Sequence, residues 1–90
     1  MSKLSDLEFR LLDEVYFISS YKVLFENLDC SEDVFQQTLR SLLENKFINQ
    51  LKYNDMLFDF EKLEIPDYAS LEESSFVATK LGLLIHNSRN

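Results

Sequence analysis

Residues 31–51 read SEDVFQQTLRSLLENKFINQL, and their reading decides the fold. Ser31 carries a hydroxyl suited to cap a helix, accepting from an amide of the first turn. Glu32 and Asp33 follow and complement the positive end of the helix dipole. Phe35, Leu39, Leu42 and Leu43 recur at helical spacing and make a core-facing stripe. Gln36, Gln37, Arg40, Ser41 and Glu44 take the opposite face. The pattern predicts a helix over about 31–45, ended by Asn45-Lys46. FINQLKY, 47–53, then alternates well enough for a half-buried strand.

Upstream, Ser5-Asp6-Leu7-Glu8 is a capping box that opens a helix over about 5–16. Leu4, Leu7, Leu11 and Val15 share one face. Phe9, Leu12 and Tyr16 form a second stripe, rotated by ~100–140° on a 3.6-residue wheel. A helix apolar over half its circumference needs two neighbours to cover it. Phe17-Ile18 suits a short strand, about 17–19, because aromatic and β-branched residues pack well on a pleat. Ser19 or Ser20 can cap a second helix, about 20–28, with Val23, Leu24 and Leu28 buried. Asn27-Leu28-Asp29-Cys30 is the turn before Ser31.

Downstream, residues 54–74 read as one long acidic loop. MLFDFEKLEI is apolar but ambiguous in period, and Pro66 breaks it. Ser70-Leu71-Glu72-Glu73 repeats the capping-box pattern and can open a helical turn. SFVA, 75–78, reads as a strand. Thr79 then caps a closing helix, about 79–87, with Leu81, Leu84 and Ile85 inward. The whole is one α+β domain of 90 residues, mainly α with a small antiparallel sheet.

Charge is unevenly spread. The net charge is −7, yet residues 53–75 hold seven acids (Asp55, Asp59, Glu61, Glu64, Asp67, Glu72, Glu73) against Lys62 alone. Nearly all the excess therefore sits in one stretch. Cys30 is the single cysteine, which excludes an intramolecular disulfide and a Cys-based zinc site and reads as a small buried hydrophobe. Apolar runs such as LGLLI fall far short of the ~20 residues that span a bilayer. MSKLSDLEF lacks the apolar core of a signal peptide. A cytoplasmic setting without membrane contact is the expectation.

The order helix, short strand, helix, helix, strand, long loop, strand, helix resembles the winged helix-turn-helix. LDCSEDVFQQTLRSLLENKFI, 28–48, is similar to the turn and third helix of bacterial MarR- and ArsR-type winged helices. FVATKLGLLIHN, 76–87, is similar to their second wing strand and closing helix. The likeness covers about residues 5–53 and 75–88. It implies a three-helix core with a wing, and a third helix that places Gln36, Gln37, Arg40 and Ser41 toward a DNA major groove. Lys46 stands where that family usually has Gly, so Asn45 is expected to take the left-handed turn. The wing is longer than theirs and acidic where DNA-binding members are basic.

Two functions follow as expectations. DNA reading needs phosphate contacts from Lys and Arg to hold the helix in register. The third helix offers Arg40 and Lys46 against Glu32, Asp33 and Glu44. A regulatory or accessory protein-interaction module is therefore the first expectation, with a protein partner or a homodimer on Phe9, Leu12, Tyr16, Phe58 and Phe60. A DNA-binding transcriptional regulator is the alternative. Catalysis is not expected. His86 is the one histidine and reads as an exposed or end-of-helix residue. The single Gly82 excludes a Gly-rich phosphate loop, and Asp55, Asp59 and Glu61 lack a calcium-loop pattern. Neither cofactor nor metal is expected.

Overall fold

Four helices and four strands follow one another along residues 4–88, the part of the chain described in the computed structural model. They are α1 (Asp6–Glu14), β1 (Ser19–Ser20), α2 (Tyr21–Asn27), α3 (Glu32–Glu44), β2 (Ile48–Asn54), β3 (Asp59–Lys62), β4 (Ser75–Ala78) and α4 (Lys80–Ser88), with a 3-10 segment (Tyr68–Glu73) ahead of β4. Residues 1–3, the start of the stretch read above for a leader, lie outside this range. The class is α+β. The strands form one antiparallel sheet in the order β1-β4-β2-β3.

Each helix starts where a hydroxyl can satisfy its free amides. Ser5 accepts from the Glu8 amide at 3.1 Å, and Glu8 accepts in return from the Ser5 amide at 2.8 Å. Ser20 and Ser31 cap α2 and α3 through the amides of Val23 and Val34. The Thr79 hydroxyl accepts from the Gly82 amide at 2.9 Å and donates to the Lys46 carbonyl at 2.8 Å. That last pair ties α4 to the corner between α3 and β2.

The core lies where α1, α2 and α3 meet β2 and β4. Leu11, Leu12, Val15, Leu24, Phe35, Leu39, Leu42 and Phe76 are fully enclosed. The edge of the Tyr21 ring meets Phe35, with centroids 4.9 Å apart, and Phe25 adds a third ring at 5.3 Å from Phe35. Full burial of each large apolar side chain contributes about 1.5–3 kcal/mol relative to exposure. The stripe read on 31–51 is thus the centre of the domain.

Four local expectations are corrected. The strand expected at 17–19 is Ser19–Ser20 instead, and Phe17 and Ile18 are exposed. The Val15 carbonyl takes the Ala78 amide of β4 at 2.8 Å, and regular pairing with β4 is found only from Ser19, opposite Phe76. Val23 is exposed, because the core face of α2 runs through Tyr21, Leu24 and Leu28. Lys46, not Asn45, takes the left-handed conformation, with φ 62°. The Asn45 amide still bonds the Ser41 carbonyl, while those of Lys46 and Phe47 close back on Leu43 and Leu42, so the turn falls one residue later.

The fourth correction concerns α4, which presents Gly82 and His86 to the interior and leaves Leu81 and Leu84 exposed. Gly82 explains the rotation. A Cβ at that position would sit 2.0 Å from the Phe47 carbonyl oxygen. The helix backbone rests directly on the α3–β2 corner, which only a residue without a side chain permits.

Residues 54–74, expected as one loop, are largely structured. β2 and β3 form a hairpin in which Tyr53 opposes Phe60 and Asn54 opposes Asp59. The Asn54 side-chain oxygen accepts from the amides of Met56 and Leu57, an Asx turn that reverses the chain. The return, residues 63–74, is fastened by Gln50 of β2, which is 1% exposed. Its Nε2 donates to the Asp67 carbonyl at 3.0 Å and to Ser74 Oγ at 2.8 Å, and its Oε1 accepts from the Asp67 amide at 2.9 Å. Every hydrogen-bonding hydrogen of that amide is used.

Candidate functional site

The four α3 residues expected to face DNA are placed very differently from one another. The Gln36 amide donates to the Tyr21 hydroxyl at 3.0 Å, which donates to Glu32 at 2.8 Å. Ser41 donates to Glu8 of α1 at 2.7 Å. Both are half-buried between helices. Gln37 and Arg40 remain exposed, on a line with Asp33 and Glu44. That outermost line carries two acids and one base.

The return segment engages Arg40 on this line and Lys52 on β2. The Arg40 guanidinium carbon lies 4.5 Å from the centroid of the Tyr68 ring. Lys52 Nζ lies 3.5 Å from Asp67 Oδ2. Asp67 is held below the usual carboxylate range, chiefly by the hydrogen bond from Ser70, then by the Ala69 amide and Lys52. The Tyr68 ring therefore stands next to α3, and the Asp67 carboxylate next to β2.

The α1 stripe expected at an interface is largely covered from within the chain, with Tyr16 still 40% exposed. Leu12 is fully buried and belongs to the core, so it cannot meet a partner. Phe9 stacks on His86 with ring centroids 4.2 Å apart and planes 15° apart. The Tyr16 hydroxyl lies 2.7 Å from His86 Nδ1 and donates to Asn87 at 3.2 Å. His86 is buried rather than exposed, and its Nε2 sits 3.7 Å from Asp13 Oδ1. Helix α4, not the acidic segment, covers this face. Gly82 and His86, four residues apart, mark its inner side, and a lone glycine inside a helix was the available signal.

The hairpin carries the other two interface candidates. Phe60 packs edge-on against Tyr53, with centroids 5.4 Å apart. Phe58 is 82% exposed and Met56 89%, with Leu57 between them also exposed. Phe58 adopts φ 53°, a conformation that disfavours a bulky side chain. Asp55, Asp59 and Glu61 flank these apolar residues. The arrangement is an exposed apolar tip with acids on either side of it in the sequence.

Among the described residues no group of three or more His, Cys, Asp or Glu side chains is placed to hold a metal ion. No helix there is long and apolar enough to cross a membrane. Cys30 is a free thiol pushed up by burial, with Arg10 acting against the shift and Asp29 with it. Comparison with family models, with curated proteins and with solved structures finds no match to this chain.

Proposed function

We propose that the chain is a non-catalytic interaction module of winged-helix type, whose β2–β3 hairpin docks a basic partner protein. The observation that carries this reading is the tip: Met56, Leu57 and Phe58 are all exposed, and Asp55, Asp59 and Glu61 flank them in the sequence. Interface cores favour aromatic residues and Met. The acids add steering toward a cationic surface.

A second copy is a poor occupant of the same hairpin. β3 is the edge of the sheet, and all four of its residues are exposed. Two-fold pairing of one β3 with another would place an axis through one residue and its twin. Centred on Phe60, it sets Asp59 against Glu61. Centred on Asp59, Glu61 or Lys62, it sets that charge against itself. Like charges directly opposite each other destabilise a strand pair. The Asp59 carboxylate also accepts from the Phe60 amide at 2.7 Å, occupying a backbone donor that a new strand would use.

DNA reading is the alternative that the helix order supports. The test sets the two against each other. A labelled peptide alternating Lys with Leu and Phe is titrated against the protein, in parallel with a labelled duplex. The expected result is peptide binding that weakens with salt and is lost when Met56, Leu57 and Phe58 are all changed to Ser. Duplex binding at moderate salt that drops on Arg40→Ala would overturn the proposal, as would peptide binding indifferent to the tip.

A further inference from the structure

A cavity of about 210 Å3 lies between the end of α3, β2 and the start of the return. Its charge runs against that of the chain. Lys46 and Lys62 line it, with Glu64 as the one acid. The chain has sixteen acids to nine lysines and arginines, yet neither lysine has an ion pair among the described residues, whereas Lys52 does. Lys46 and Lys62, both exposed and without an ion pair among the described residues, and Glu64 give the lining residues one net positive charge.

Other details agree. Asn49 is among the lining residues, and its side chain makes no hydrogen bond among the described residues, so its amide is free to donate. Gln50 reaches the same wall but has no donor left, as described above. Apolar lining comes from Leu43 and Ile48, both buried in the core, and from Leu63 and Pro66.

We infer that this cavity binds a small monocarboxylate with a short aliphatic body. One net positive charge suits a monoanion better than a phosphate dianion, and the leucine and isoleucine lining suits a hydrocarbon stem. At interior packing density the volume admits roughly ten non-hydrogen atoms. A bound carboxylate would link the α3–β2 corner to the return, so binding adds stability to the folded chain. This site is separate from the hairpin tip and does not depend on the reading given to it.

The test uses the full chain with three probes at matched ionic strength: hexanoate, its neutral counterpart hexanamide, and inorganic phosphate. The expected result is that hexanoate raises the melting temperature and shifts the Asn49 side-chain amide resonances, while hexanamide and phosphate do neither. Lys46→Gln and Lys62→Gln should each weaken hexanoate binding about tenfold, the worth of one charge-assisted hydrogen bond. Lys80→Gln, exposed on α4, should leave it unchanged. Equal binding of hexanamide, tighter binding of phosphate, insensitivity to both cavity lysines, or no hexanoate binding at tens of millimolar overturns the inference.

Discussion

Arg40 lies over the ring of Tyr68, its guanidinium carbon 4.5 Å from the ring centroid. The contact joins the outer face of α3 to the return segment. It spends on the protein's own fold the one cation of that face. A cation over a tyrosine ring at a partly exposed position is worth about 0.5–1 kcal/mol. Arg40→Ala should therefore lower unfolding free energy by about that amount in urea, with an unchanged slope. A variant that unfolds like the wild type would show that the stacking carries no energy in solution.

Gln50 holds the return more firmly. Its amide makes three hydrogen bonds at 1% exposure, to both backbone groups of Asp67 and to Ser74. Gln50→Leu keeps the volume but strands those partners. The expected cost is about 2–4 kcal/mol, since each buried unsatisfied group costs about 1–3 kcal/mol and water can reach some of them. Amide hydrogen exchange at Asp67 should accelerate in the same variant. Exchange that stays slow would mean that the return is held by its apolar contacts instead.

Gly82 sets how closely α4 approaches. With the Phe47 carbonyl oxygen 2.0 Å from the place of a Cβ, Gly82→Ala cannot be absorbed by a side-chain rotation. Overpacking of this kind costs about 1–3 kcal/mol or more. That outweighs the gain of about 1 kcal/mol that alanine otherwise brings to a helix interior. We expect a lower melting temperature together with loss of the Phe9–His86 ring-current shifts, as α4 lifts from α1. A stabilised variant would contradict the close contact.

The Tyr21 hydroxyl gives a signature at high pH. Burial, then its hydrogen bond to Glu32, pushes its pKa up to about 12 from the ordinary 10. The folded pKa is raised, so the folded state keeps a proton that the unfolded state releases. The associated stability is complete below about pH 10 and is lost as pH rises toward 12. Tyr21→Phe should flatten that part of the stability profile. A profile unchanged by the substitution would show that Tyr21 titrates normally.

Much of this architecture is legible along the chain because its causes are local. Ser5, Ser20, Ser31 and Thr79 cap helices through amides no more than three residues away, and the stripe Phe35, Leu39, Leu42, Leu43 follows from the helical period alone. The α+β class and the crowding of acids between residues 53 and 75 need no coordinates either. The tertiary structure decided what distant residues do to one another. Leu12 joined the core and Phe9 stacked on His86 because α4 returns over α1. Residues 54–74 became a hairpin and a fastened return because Gln50 meets Asp67, 17 positions away. Periodicity reports which face of an element is apolar, but not which other element covers it. That depends on close approaches such as Gly82 on Phe47, which arise only when the whole chain packs.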